Sequence, residues 1–324
     1  MEFGVYLNQY HDPRFEFTFD DLLDQAAAVE ELGYDTIGVG ERHFYEDGFM
    51  DLFSCLTSMA AHVDDIRLMS NIIILPVYHP VDLAERMTAI DHMMDGQTMW
   101  GVSLGYRRSE LVNFGVPMED RVPRFLESVG VLKRLLAGER FDHDGEYFAF
   151  EDGFVSPTPV QDPRPPIEGG GNADSAIKRA ANRTDGFTAA VTVPEELEQD
   201  IELYYDTLEE VGKDPEEGHV TIMVDGYVGE STEAAREALD PYILDLTQKY
   251  IEWGNPEFDG RPSFGDIEDQ TMIGTAEEVA EMVEEYRDIG VDHLIFRTQF
   301  PGMDSDVAME SVRRFADDVA PQFR

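Results

Sequence analysis

Cysteine is nearly missing from this chain of 324 residues: Cys55 stands alone, which rules out an intrachain disulfide and a thiolate metal cluster. Lysine is scarce too. Four of the 24 cationic residues are lysine, against 68 Asp and Glu, and the formal net charge is −44. No cluster of Lys and Arg is dense enough to meet a polyanion, so nucleic acid is not an expected partner. No segment approaches about 18 consecutive apolar residues. The chain opens on strand-like Phe3-Gly-Val-Tyr-Leu-Asn without a basic, apolar leader, so the expected place is the cytoplasm and not a membrane. A nucleophile elbow of the GxSxG type is absent, as is any metal-ligand motif, which removes serine-hydrolase and metalloenzyme readings.

What is present is a globular composition, 42% hydrophobic and 11% aromatic, enough for a large core. The acidic excess suits a halophilic protein whose self-repulsion is relieved by concentrated salt. Cys55, among Leu52, Phe53, Leu56 and Met59, reads as core packing.

Short apolar strands alternate with amphipathic helices from end to end, a pattern of parallel β/α units. Strands are expected at 2–8, 36–40, 66–75, 98–103, 166–168, 186–191, 219–227 and 291–297. Thr18 with Asp21, and Thr275 with Glu278, have capping-box spacing at helix starts. Gly and Pro crowd 138–165, where a small hairpin is expected. They crowd 252–272 as well, which reads as a loop insertion able to cover a site. Eight strands, each followed by a helix, predict an α/β fold closed as a TIM (β/α)8 barrel, one domain over 1–324.

The strongest local signal is Ile167-Glu-Gly-Gly-Gly-Asn-Ala-Asp-Ser. Gly169, Gly170 and Gly171 allow backbone to approach a ligand, and Asn172 and Ser175 add side-chain donors at a helix start. There, unpaired N–H groups and the helix dipole favour an anion such as a phosphate. The alternative is a plain strand-to-helix turn.

In a barrel the strand C-termini build the active face. Asn8 and Gln9 end the first strand, Glu41, Arg42 and His43 the second, and Ser103, Tyr106 and Arg107 the fourth. His43 titrates near neutrality and can move a proton, Glu41 can orient it or Arg42, and Arg42 offers a fixed positive charge for an oxyanion. The same three residues also read as a surface salt-bridge cluster. His79 before Pro80 reads as a helix start, and Arg107 and Arg108 as partners of carboxylates such as Glu110 or, alternatively, of a phosphate.

Taken together, Phe3-Gly-Val-Tyr-Leu, Leu32-Gly-Tyr-Asp-Thr-Ile, Glu41-Arg-His-Phe, Ile74-Leu-Pro-Val-Tyr-His-Pro, Trp100-Gly-Val-Ser-Leu-Gly-Tyr, Ile167-Glu-Gly-Gly-Gly-Asn and Val291-Asp-His-Leu-Ile-Phe-Arg resemble the bacterial luciferase-like flavin-dependent monooxygenases and oxidoreductases. The resemblance covers nearly the whole chain and implies a TIM barrel using FMN as a reduced cosubstrate, or a deazaflavin coenzyme in some branches. It implies a monooxygenase acting with oxygen on a small organic substrate, served by a flavin reductase. The alternatives are deazaflavin-dependent hydride transfer and a non-catalytic flavin-binding barrel.

By the same resemblance the flavin phosphate lies at Gly170, Gly171, Asn172 and Ser175, and the ring near Asn71, Ile72, Ser103 and Tyr106. A non-proline cis peptide is expected at Asn71-Ile72. The segments 252–272 and 106–118 become lids, and a homodimer forms on the Met- and Leu-rich helices near 52–62 and 83–94. Two positions depart from the family. Its members have Glu-His-His where this chain has Glu41-Arg42-His43, so Arg42 takes the key histidine position. Leu104 takes that of the phosphate-binding arginine, leaving Arg107 or Arg108 as substitutes.

Overall fold

Parallel β/α units follow one another from the first strand in the computed structural model, which describes residues 1–9, 17–46, 48–254 and 267–324. β1 (Glu2–Tyr6) leads to α1 (Phe19–Glu31), β2 (Thr36–Val39) to α2 (Leu52–Met59), and β3 (Arg67–Ile74) to α3 (Pro80–Met93). After β4 (Thr98–Ser103) come α4 (Arg108–Asn113) and α5 (Arg121–Leu136). The expected hairpin is β5 (Phe141–Asp144) with β6 (Ala149–Gly153), before β7 (Ile167–Gly170) and α6 (Asp174–Arg183). The chain continues through β8 (Gly186–Ala190), α7 (Pro194–Glu210), β9 (Val220–Val228), α8 (Thr232–Glu252), β10 (Thr271–Gly274), α9 (Ala276–Asp288), β11 (His293–Arg297) and α10 (Ser305–Arg314).

Eight strands pair in the order β1-β2-β3-β4-β7-β8-β9-β11 and back to β1, closing the predicted TIM barrel. Besides the β5–β6 hairpin, one strand among the described residues lies outside that ring. β9 pairs with β11 through Thr221–Asp225 and then, from Asp225 to Val228, with β10, so it changes partner midway. β10 was not among the expected strands and takes up the last two residues of the expected 252–272 loop. Thr271-Met-Ile-Gly is too short to show a strand period in sequence, and only its pairing with β9 defines it. Residues 255–266 of that segment lie outside the described residues.

Local chemistry sets the element ends as expected. Thr18 and Asp21 form a capping box on α1, Thr275 and Glu278 another on α9, and the His79 ring accepts the Val81 N–H at the start of α3. The apolar strands are buried on both faces, as parallel strands between helices and barrel interior must be. The main core lies between strands and helices, around Phe3, Ile37, Trp100, Phe187 and Phe296, and includes Cys55. A second cluster, with Tyr6, Met69, Met99, Met223 and Ile295, fills the barrel interior. The Leu and Met residues of α2 and α3 are largely buried in this same core, Leu52, Met59, Leu83 and Met87 among them.

Near the strand starts the interior is polar. Glu168 accepts from Thr188 at 2.5 Å and Thr221 at 3.2 Å and pairs with His219 at 2.6 Å. Burial works against a charge on His219, but the hydrogen bond and charge of Glu168 outweigh it and raise the imidazole's pKa. A raised folded pKa gives stability that is complete below the unfolded value of about 6.5 and is lost as pH climbs through the folded value. His219→Gln should therefore flatten the decline of stability that wild type shows above about pH 6.5. Urea melts in steps from about pH 6 to 9 check this, with the variant as reference because the raised pKa of His43 acts in the same direction. Parallel curves for the two proteins would refute it.

Candidate active site

The barrel's C-terminal end opens into a cavity of ≈ 370 Å³, within the usual range of small-molecule sites, about 300–1,000 Å³. β3 shapes its floor. The Asn71–Ile72 peptide is cis, as expected, and the register of β3 against β4 shifts between Ser70 and Ile73. Ile72 projects so close to β7 that a Cβ on Gly170 would lie 2.2 Å from its Cδ1. Gly171 has φ +129°, a conformation that disfavours any side chain. These two glycines line the cavity and Gly169 does not. A Cβ on Gly169 would instead meet Ala180 Cβ at 2.9 Å, so it serves the packing of α6 on β7. Strand alternation explains the split. Glu168 faces inward, so Gly169 faces the helices.

α6 starts beside Gly171 with no side-chain cap, leaving its first amides open to an anion. Ser175 lines the cavity there. Asn172 lines it too, but its side chain clasps β8, donating to Ala190 O at 2.8 Å and accepting from Ala190 N at 3.2 Å. It fixes the turn more than it offers free donors.

Two residues absent from the sequence reading complete this corner. Arg121, first in α5, and Arg179, four residues after Ser175 on α6, both line the cavity. Arg121 donates to Gly105 O at 3.1 Å. Among the described residues neither guanidinium makes an ion pair, although the chain carries 68 carboxylates. Burial, then the charge of Arg121, depresses the pKa of Arg179. Two like charges held together without a counterion are suited to a dianionic phosphate. Arg107, one of the two expected substitutes, is already engaged. It pairs with Glu110 at 2.9 Å, donates to His43 O and Phe44 O, and stacks on Trp253. Arg108, the other, is exposed and outside the lining.

Asn71, Ser103 and Tyr106 line the cavity. The Asn71 amide nitrogen is buried and has no partner among the described residues, a donor able to meet an acceptor. Of the Glu41-Arg42-His43 run, the first two line the cavity and His43 does not. Glu41 accepts from His43 Nε2 at 3.0 Å, from Ile74 N at 2.6 Å and from the Tyr78 hydroxyl. Its carboxylate thus ties the end of β2 to that of β3, and the His43 ring is turned onto Phe114. His43 Nε2 is used for this tie, and the ring lies outside the cavity lining. Glu110, on the cavity wall, is pushed up in pKa by burial despite Arg107.

A second charged group occupies the cavity wall. Arg297 at the end of β11 grips Asp225 of β9 in a two-point ion pair, Nη2 to Oδ2 at 2.7 Å, and donates from Nη1 to the Tyr250 hydroxyl at 3.1 Å. Arg42 donates to the same hydroxyl and lies over the rings of Tyr250 and Trp253. The cavity therefore combines a cationic, glycine-lined corner at the start of α6, an apolar floor, and a distinct guanidinium–phenol cluster. The segment 106–118, an expected lid, contains the short helix α4.

Comparisons with known proteins agree with this architecture. The profile described as luciferase-like monooxygenase matches residues 1–293. An uncharacterized protein of Mycobacterium tuberculosis is 29% identical over 181 residues, 54% of this chain but 63% of that relative, so the match spans less than two thirds of its length. The 4-hydroxyprotoasukamycin monooxygenase of Streptomyces nodosus subsp. asukaensis is 24% identical over 100% of this chain and 92% of its own. Among solved structures, monooxygenase RslO1 from Streptomyces bottropensis superposes with TM-score 0.88 at 20% identity, over 100% of both chains. An F420-dependent secondary alcohol dehydrogenase in complex with an F420–acetone adduct does so with 0.82 at 20% identity, over 100% and 99%. The oxygenating constituent of 3,6-diketocamphane monooxygenase from Pseudomonas putida, in complex with FMN, gives 0.80 at 15%, over 100% and 99%. Among the described residues no helix is long and apolar enough to cross a membrane.

Proposed function

Because the chain belongs to the luciferase-like monooxygenase family, we propose that it is a flavin-dependent monooxygenase that uses reduced FMN and oxygen on a small organic substrate. The observation that carries this reading is the Arg121–Arg179 couple, without an ion pair among the described residues, beside the Gly170–Gly171 turn and the uncapped start of α6. Such a seat matches a terminal phosphate. Gly170, Gly171, Ser175, Arg121 and Arg179 would hold that group, Asn71 would donate to a polar atom of the ring system, and Ile72 would support the ring from below. Bound reduced FMN would supply the electrons that activate oxygen. The chain's own contribution is to orient and to exclude water, through Tyr6, Ile74, Leu104, Val191 and Met223 on the cavity wall.

A deazaflavin coenzyme is the second reading, favoured by the F420-bound neighbour. A flavin reductase as electron supplier and a homodimer remain part of the proposal on the strength of the resemblance. Equilibrium titration with FMN and with the deazaflavin, followed by oxygen-electrode assays against a panel of small organic substrates, tests it. Tight binding of FMN with substrate-dependent oxygen uptake is expected. Failure to bind either molecule would sink both readings, and deazaflavin binding without oxygen uptake would select the second.

A further inference from the structure

We propose that the Tyr250 hydroxyl is the acid–base group of this cavity and that the substrate carries an ionisable hydroxyl, a phenol or an enol, whose proton it accepts and returns. The substrate half of this statement rests on the oxidoreductase reading above; the titration behaviour of Tyr250 does not.

Geometry comes first. Tyr250, near the end of α8, is 8% exposed and lines the cavity. Its single phenolic oxygen accepts N–H groups from two guanidiniums that arrive on separate elements, Arg42 after β2 and Arg297 on β11. Both are held in place independently of the phenol. Asp225 takes two nitrogens of Arg297 and leaves Nη1 for Tyr250, while Tyr45, Phe49 and Trp253 rings surround Arg42. Two cations converging on one neutral oxygen favour its ionised form.

Among the described residues, the groups facing Tyr250 from packed elements are Arg42, Arg297, Asp225 of β9 and Tyr106 after β4; on its own helix Lys249 is paired with Asp245. Burial raises the phenol's pKa and Asp225 adds to that, but Arg297 and Arg42 outweigh both and bring it below its ordinary value. The neighbouring cavity phenol, Tyr106, is pushed the other way by burial. The cavity thus contains one tyrosine prepared to lose its proton and another prepared to keep it.

The step is a proton transfer with no change of oxidation state. The substrate O–H bond breaks, the Tyr250 O–H bond forms, and the negative charge passes from the tyrosine to the substrate oxygen, facing the same guanidiniums. Reversal after oxidation returns the proton to the product. Such transfer is efficient when donor and acceptor pKa values are close, as those of two phenols are.

Near-ultraviolet titration of the cofactor-free protein is the direct test. Among the 13 tyrosines, one should ionise below the ordinary value of about 10, and Tyr250→Phe should remove that step. Asp225→Asn should move it lower and Arg42→Gln higher, opposite signs that a purely structural tyrosine would not produce. In turnover, Tyr250→Phe should lower kcat by about 100-fold or more with FMN binding unchanged, since Tyr250 lies outside the phosphate seat. A tyrosine titration identical in wild type and Tyr250→Phe would overturn the proposal. Loss of flavin binding by wild type would instead overturn the oxidoreductase reading and leave the titration result standing.

Discussion

Replacing Arg121 and Arg179 together by glutamine will weaken FMN binding by about 100-fold or more while riboflavin, which lacks the phosphate, binds as before. Each hydrogen bond to a charged group is worth roughly 1.5–3 kcal/mol, and about 1.4 kcal/mol is a factor of ten in affinity, so loss of both accounts for that size. The phosphate-free ligand makes the result specific: a damaged ring pocket would weaken both ligands alike. The single variants should cost less than half each. Arg121 and Arg179 repel one another, and removing one relieves the other. Fluorescence titration with both ligands measures this, and equal losses for FMN and riboflavin would refute the assignment of these arginines.

Thermal stability will rise steeply between about 0.1 M and 1 M KCl, because the screening length falls from about 10 Å to about 3 Å. With 68 acidic and 24 basic residues, 44 negative charges have no cationic partner even if every cation is used once. The exposed ion pairs that do form, such as Arg86–Asp82 and Arg134–Glu139, contribute little and weaken in salt. General repulsion among the surplus carboxylates is therefore the larger quantity. Calorimetric melts over a KCl series check it, and a melting temperature that falls as salt is added would refute the halophilic reading.

Much of the fold was legible because each signal was local. The eight barrel strands are short apolar runs with helical patterns between them, and the two capping boxes needed only a spacing of three. β10 was not legible, since four residues carry no period and its partner lies more than forty positions earlier. The cavity divides the same way. Gly170, Gly171 and Ser175 stand in one motif, and strand alternation alone could have set Gly169 aside. Arg179 was within reach too, one helical turn after Ser175 and on its face. Arg121 was not, because only the packing of α5 against α6 brings it to this corner. Nor was Tyr250, whose part depends on Arg42, Asp225 and Arg297 arriving from three distant strands.

The bare guanidinium couple sits inside an envelope of opposite sign, and this has a kinetic outcome. A phosphorylated ligand is repelled at a distance and held only on contact, so the encounter is slow in dilute buffer. Added salt erases the distant repulsion before it reaches the enclosed contact. Capture by this protein should accelerate in brine, where most protein–polyanion encounters falter.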